Sequence, residues 1–250
     1  MTIGKVWLVG AGPGDPELLT LKAVRVMGQA DIVLVDDLVN PEILQHVAQH
    51  ATIIPVGKRG GCRSTPQAFI ERLMIRSARK GACVVRLKGG DPLIFGRGGE
   101  EITGLNAAGI PCEVINGLTA GIAAPSTLGI SLTQRDISQG VVMITGHSHN
   151  DDSIPWAELA RSQLTLVIYM GLIRCQHIVD ALIAGGLAPN TPTVAVQNAT
   201  RTDQRHITST LLNLPQTLLE HHVKSPAILI IGKVTADLQD SLTTQQLATG

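Results

Sequence analysis

Short aliphatic runs that each end in a turn and lead into a helical pattern constrain this chain more than any other feature. Lys5–Val9 ends in Gly10-Ala11-Gly12-Pro13-Gly14-Asp15, and Asp31–Val35 ends in Asp36-Asp37. Thr52–Val56 precedes the basic loop Gly57-Lys58-Arg59-Gly60-Gly61, and Cys83–Leu87 precedes Lys88-Gly89-Gly90-Asp91-Pro92. Cys112–Ile115 is a fifth such run. Helical patterns separate them. One starts with Asp15 as N-cap and Pro16 at the first helical position, and others start near Pro41, over Gln67–Arg79 and from about Gly99 to Gly109. Strands spaced by helices predict right-handed crossovers and a mostly parallel sheet. Aromatic residues are only 2% of the chain while 44% is hydrophobic. The core is therefore aliphatic, as strands buried on both faces require.

The second half reads differently. Val141–Thr145, Thr165–Met170, Thr193–Gln197, His206–Thr210 and Ala227–Ile231 have strand character. Helices are expected at Trp156–Arg161, Ile173–Ala184 and Pro215–His222. Short strands flanking the polar segment Asn198–Arg205 suggest a hairpin, so this sheet is expected to be mixed. The expected organisation is an N-terminal α/β domain over 1–116, an interdomain segment over 117–140 and a C-terminal α/β domain over 141–250.

Charge narrows the function classes. Lys plus Arg number 20, as do Asp plus Glu, so the formal net charge is zero. A nucleic-acid binder generally carries a basic excess to neutralise phosphates, and no nucleic-acid partner is expected. No apolar run approaches the roughly 20 residues of a membrane span. The start of the chain lacks the pattern of a signal peptide, so a cytoplasmic location and no membrane partner are expected. Cys62, Cys83, Cys112 and Cys175 are scattered without a C-x-x-C pair, which indicates neither zinc nor a disulfide framework. The pairs His46/His50, His147/His149 and His221/His222 have no third ligand nearby in sequence, so no metal is expected.

The loop Gly10–Asp15 follows a strand and opens a helix, with Asp36 some way on, which invites a dinucleotide-binding reading. Two residues oppose it. Asp15 stands where the third glycine of G-x-G-x-x-G belongs and would face a pyrophosphate. Pro13 removes a backbone donor from the turn.

Longer strings are more specific. Val9-Gly10-Ala11-Gly12-Pro13-Gly14-Asp15-Pro16, Arg86 to Glu101 (RLKGGDPLIFGRGGEE), Gly117-Leu118-Thr119-Ala120 and Tyr169-Met170-Gly171-Leu172 occur in this order. Together they resemble the tetrapyrrole methyltransferase family over about Gly4 to Val234. The resemblance implies two α/β domains with a cleft for S-adenosyl-L-methionine between them, and S-adenosyl-L-homocysteine as product. It implies C-methylation of uroporphyrinogen III at C2 and C7, by way of precorrin-1 to precorrin-2, toward sirohaem or cobalamin. Methylation of a later precorrin, or tetrapyrrole binding with weak catalysis, are the alternatives it leaves. By motif, Pro13, Gly89, Gly90, Asp91, Ile94, Thr119, Ala120, Met170 and Ala199 match cofactor-contacting positions. Asp36 matches a proton acceptor and Lys58 a proton donor. Arg59, Arg63, Lys88 and Arg97, with Arg86, are candidates on loops for the eight carboxylates of the substrate. The family is commonly homodimeric, so a homodimer is expected.

The chain departs from the family's usual pattern at Val35, Asp37, Arg63, Asn116, Gln134 and Ala199. Asn116 stands where proline is usual, and Ala199 where glycine is common.

Overall fold

The computed structural model describes residues 2–57, 65–147 and 154–238. The chain divides into two compact units, Met1–Ala120 and Gly121–Gly250. The first unit carries β1 (Val6–Gly10), α1 (Leu21–Met27), β2 (Ile32–Val35), β3 (Thr52–Pro55), α2 (Gln67–Arg79), β4 (Val84–Lys88), α3 (Gly98–Ala107) and β5 (Cys112–Ile115). Its strands run in the order β3-β2-β4-β1-β5, and every pairing is parallel. The chain reverses direction after β3: β4 returns between β2 and β1, and β5 adds on the far side of β1.

Both faces of this sheet are covered, which explains why its strands read as continuous aliphatic runs. Side chains alternate across a strand, so neighbours in sequence enter opposite layers. Val9, Val33, Val85 and Leu87 pack with Ala23, Val26 and Met27 of α1. Leu8, Leu34 and Val84 pack with Ile70, Met74 and Ala78 of α2 and Leu105 of α3. The stripe on α2 has the i, i+4, i+8 spacing of one helical face.

The second unit carries α4 (Ala120–Ser126, whose first residue belongs to the first unit), β6 (Val141–Thr145), α5 (Trp156–Arg161), β7 (Thr165–Tyr169), α6 (Cys175–Ala184), β8 (Pro192–Gln197), β9 (Arg205–Thr210), α7 (Leu214–Glu220) and β10 (Ala227–Ile231). The order is β6-β7-β10-β8-β9. β6 and β7 are parallel, and the other pairs are antiparallel. The sheet is mixed, and β8 and β9 form the expected hairpin. Leu166, Ile168, Leu229 and Ile231 bury one face under Trp156, Ile178, Leu182, Leu214 and Leu218.

Two local expectations are corrected. The helix expected from Asp15 is two elements. Asp15 caps only a 3-10 turn, Pro16–Leu18, and the α-helix restarts at Leu21 with the Thr20 hydroxyl accepting from Ala23 N–H. The helix near Pro41 is 3-10 throughout, Pro41–His46, with Asn40 as its cap. Within the segment read as a connection lies α4, which tolerates Pro125 in its interior. No helix among the described residues is long and apolar enough to cross a membrane. Among the same residues no group of three His, Cys, Asp or Glu lies together.

Candidate active site

Because the first sheet is parallel throughout, every strand delivers its following loop to the same edge. Ligands of such sheets bind beyond the carboxyl ends of the strands, where the strand order reverses. Here that edge gathers Ala11–Asp15 after β1, Asp36–Asn40 after β2, Gly89–Arg97 after β4 and Asn116–Thr119 after β5.

The loops after β1, β4 and β5 touch through bare backbone. Gly12 and Gly90 exchange hydrogen bonds, Gly90 N–H to Gly12 O at 2.7 Å and Gly12 N–H to Gly90 O at 3.2 Å. A Cβ on Gly10 would lie 2.6 Å from Gly90 O, and one on Gly117 would lie 2.3 Å from the same oxygen. Glycine is therefore demanded by close approach at both places. Gly90 adds a φ of 67°, a left-handed conformation that glycine adopts without strain. Asp91 fastens this cradle. Its Oδ1 accepts from Leu93 N–H at 2.8 Å. Its Oδ2 accepts from Gly117 N–H at 3.1 Å and from the Asn116 side-chain amide at 3.1 Å. Pro13 and Thr119 flank the same edge, and Thr119 is buried. Leu38, Leu93, Ile94, Phe95 and Leu118 are exposed there. Apolar side chains gathered at a polar cradle suit a ligand with both flat apolar and charged parts.

Beneath the edge lies a buried charge cluster. Arg86, within β4, sends Nε to Glu101 Oε1 at 3.2 Å and NH2 to Asp36 Oδ2 at 3.2 Å. Its NH1 also reaches the carbonyls of Leu34 and Leu87 at 3.5 and 3.3 Å. Lys88 donates to Glu101 Oε1 at 3.2 Å, and Gln67 donates to the same oxygen at 2.8 Å. Glu101 Oε2 lies 3.1 Å from Lys88 Nζ but outside hydrogen-bonding alignment. Glu101 is fully buried, and Arg86 and Lys88 nearly so. Burial, and then the Arg86 charge, push the Lys88 ammonium below its ordinary range, while Glu101 and Asp36 oppose the shift. Asp36 differs from the rest, since its side chain remains 37% exposed at the strand end.

Arg86 and Lys88 therefore lie inside β4, not on loops, and both are committed to Glu101. Arg97 is exposed and pairs with Glu100, at 2.9 Å through Nε and 2.6 Å through NH2. Lys58, Arg59 and Arg63 lie outside the described residues. Sequence reasoning missed Glu101, Gln67 and the donor role of Asn116. The only signal was the paired Glu100-Glu101 closing the long glycine string.

In the second unit, Met170 follows β7 and Ala199 follows β8. Tyr169 pairs with Ile228, and Gln197 with Ala227, so both strands end on the same edge, either side of the start of β10. Met170 adopts φ 54° and is half exposed, whereas Ala199 is buried between Asn198 and Thr200, both left-handed. The Tyr169 hydroxyl accepts from Gly121 N–H at 2.6 Å. A groove of about 740 Å³ along α2, lined by Phe69, Arg72, Arg76 and Arg79 among others, contains none of these residues.

The profile of the family Tetrapyrrole (Corrin/Porphyrin) Methylases matches residues 5–215. A uroporphyrinogen-III C-methyltransferase of Pseudomonas aeruginosa is 57% identical over 94% of this chain and 96% of its own. The crystal structure of a uroporphyrin-III C-methyltransferase of Thermus thermophilus complexed with S-adenosylhomocysteine has a TM-score of 0.80. It is 39% identical and covers 92% of this chain and 98% of its own. A cobalt precorrin-4 methyltransferase has a TM-score of 0.84 at 26% identity, covering 92% of this chain and 95% of its own.

Proposed function

Because this chain belongs to the tetrapyrrole (corrin/porphyrin) methylases, we propose that it methylates uroporphyrinogen III at C2 and C7, giving precorrin-2 by way of precorrin-1, with S-adenosylmethionine as methyl donor. One observation carries the choice of substrate: 57% identity across nearly the full length of a relative named for that activity. Backbone geometry alone does not separate it from methylation of a later precorrin, because the precorrin-4 enzyme superposes at least as well. Sequence identity favours uroporphyrinogen III, at 39% against 26% for those two structures.

The cofactor supplies an activated sulfonium methyl, so no Lewis acid is required of the protein. What remains for the side chains is to hold the donor and acceptor carbons in line and to manage protons. Pro13, Gly89, Gly90, Asp91, Ile94, Thr119 and Ala120 of the first unit, and Met170 and Ala199 of the second, are assigned to the cofactor. The glycine cradle fits this role, because a ligand can approach bare backbone there. Asp91 contributes chiefly by fixing the cradle, since three donors already occupy its carboxylate. Asp36 is assigned the proton released when the methylated pyrrole regains conjugation. Its two oxygens accept from Arg86 and from Asp37 N–H, and a carboxylate retains acceptor capacity beyond those two bonds. Lys58 is the proposed proton donor. Arg59, Arg63 and Arg97 are assigned to the substrate carboxylates, while Lys88 is reassigned from the substrate to the frame of the site because it is buried against Glu101. The protein is expected to act as a homodimer.

Incubation with uroporphyrinogen III and S-adenosylmethionine, read by mass spectrometry, tests the reading. Addition of two methyl groups supports it. No transfer to uroporphyrinogen III, with transfer to a later precorrin supplied in its place, replaces it with the alternative.

A further inference from the structure

We propose that Glu101 is a positioning residue that sets the Asp36 carboxylate through Arg86. This role rests on the functional reading above, in which Asp36 handles a substrate proton. The chain of contacts is continuous. Gln67 at the start of α2 donates to Glu101 at 2.8 Å, Glu101 accepts from Arg86 at 3.2 Å, and Arg86 donates to Asp36 at 3.2 Å. Four elements meet in it: α2, α3, β4 and the loop after β2.

The cluster is costly as a purely structural device. Glu101 is fully buried, and two cations are buried with it. Buried ions carry a large desolvation penalty, which apolar residues of similar volume would avoid. Val84, on the same face of β4, shows that the layer accepts an aliphatic side chain. What the ions provide is direction. Arg86 has a planar fork that holds its donors in fixed geometry. Glu101 occupies Nε, the Leu34 and Leu87 carbonyls occupy NH1, and NH2 is left aimed at Asp36. Glu101 and Arg86 are buried, Gln67 is half-buried at one end, and Asp36 is where the relay reaches the carboxyl edge of the sheet. Asp36 N–H also donates to Leu87 O at 3.1 Å, so its backbone is pinned to the same strand that carries Arg86. Main chain and side chain of Asp36 are thus both referenced to β4.

Lys88 neutralises the remaining charge of Glu101 and does not touch Asp36 by a hydrogen bond, so its contribution is to balance the cluster. The Asp37 backbone N–H holds the other oxygen of Asp36 at 3.0 Å, while its side chain turns elsewhere. A Cβ on Gly57 would lie 2.0 Å from Asp37 Oδ1, which places the Asp37 side chain against the end of β3.

The test is a mutant cycle on the full-length protein with Glu101→Gln, Asp36→Asn and the pair. Glu101→Gln is expected to lower kcat with uroporphyrinogen III by about tenfold, while KM and S-adenosylhomocysteine affinity stay within about twofold. The loss should vanish in the Asp36→Asn background. Gln67→Ala, a gentler change, should lower kcat by about threefold and lose its effect in the same background. It decides the matter if Glu101→Gln does not fold. An equal loss with and without Asp36, or a loss that follows cofactor affinity, overturns the positioning role. So does Asp36→Asn that matches the wild type in kcat. A wild-type chain that binds S-adenosylhomocysteine yet methylates no uroporphyrinogen III counts against the substrate instead. In that case the ¹³C resonance of the Asp36 carboxyl decides: displacement by Glu101→Gln supports the relay, and an unmoved resonance overturns it.

Discussion

Asp91 Oδ2 accepts from the backbone N–H of Gly117 at 3.1 Å, tying the loop after β4 to the loop after β5. The Gly-Gly-Asp-Pro string earns its place in this site as a fastening between neighbouring strand ends, and the bare backbone it presents depends on that fastening.

Removing the fastening should loosen both ends. Asp91→Ala leaves three donors without their acceptor and is expected to cost about 1–3 kcal/mol of stability. It should also weaken S-adenosylhomocysteine binding by about tenfold or more. Urea unfolding and calorimetric titration read the two effects separately. Unchanged affinity would remove Asp91 from any part in the cofactor cradle.

Glycine positions in the same unit should differ sharply. Gly117→Ala places a methyl 2.3 Å from the carbonyl oxygen of Gly90, a backbone atom that can yield only if the loop moves. About 1–3 kcal/mol of destabilisation and a large loss of cofactor affinity are expected. Gly99→Ala, in the first turn of α3 with nothing within 4 Å of the added carbon, should stabilise by about 0.4–1 kcal/mol. Equal stability of the two variants would contradict the close approach of the loops.

The central strands of both sheets were legible from their aliphatic runs, because burial on both faces leaves little choice of residue. Lys5–Val9 became Val6–Gly10, a shift of one residue. Turn chemistry was harder to read. Asp15-Pro16 has the signature of a helix start, yet Thr20 competes as a second cap, and the chain forms two short elements instead of one. α4 was hidden because Pro125 lacks the N–H that an interior helical position donates, so the segment reads as connection. Within the site, the glycine loops could be read locally, since each motif is contiguous. The roles of Arg86 and Lys88 could not. Their partner Glu101 sits on the following helix, and charge in a sequence does not reveal whether a side chain reaches solvent or a buried counter-ion. Asn116 was equally opaque, since its amide matters only because β5 ends beside the loop after β4.

Tyr169 is expected to matter for stability in the second unit. Its hydroxyl is the acceptor for Gly121 N–H at 2.6 Å, and Gly121 is buried. Tyr169→Phe leaves that donor unsatisfied and should cost about 1–3 kcal/mol by chemical denaturation. A variant as stable as the wild type would show that the amide finds another partner.

Acid stability should depend on Glu113. Hydrogen bonds from Lys22, and then from Lys5, hold its carboxyl down at about 2. An unfolded glutamate titrates near about 4.3. The folded value is the lower one, so the stabilisation is present above the unfolded value and is lost as pH falls toward 2. Thermal unfolding across this window should show a steeper fall in Tm for the wild type than for Glu113→Gln. The difference should shrink in high salt, because the ion pairs lie at the surface, with the Glu113 side chain 34% exposed. Parallel curves for the two proteins would refute the assignment.

The central claim is met most directly by one reaction. Purified protein, uroporphyrinogen III and S-adenosylmethionine are combined under anaerobic conditions, and the tetrapyrrole product is weighed by mass spectrometry. Two added methyl groups, appearing through a singly methylated intermediate, are expected. Unmodified uroporphyrinogen III, from protein that still binds S-adenosylhomocysteine, would contradict the account.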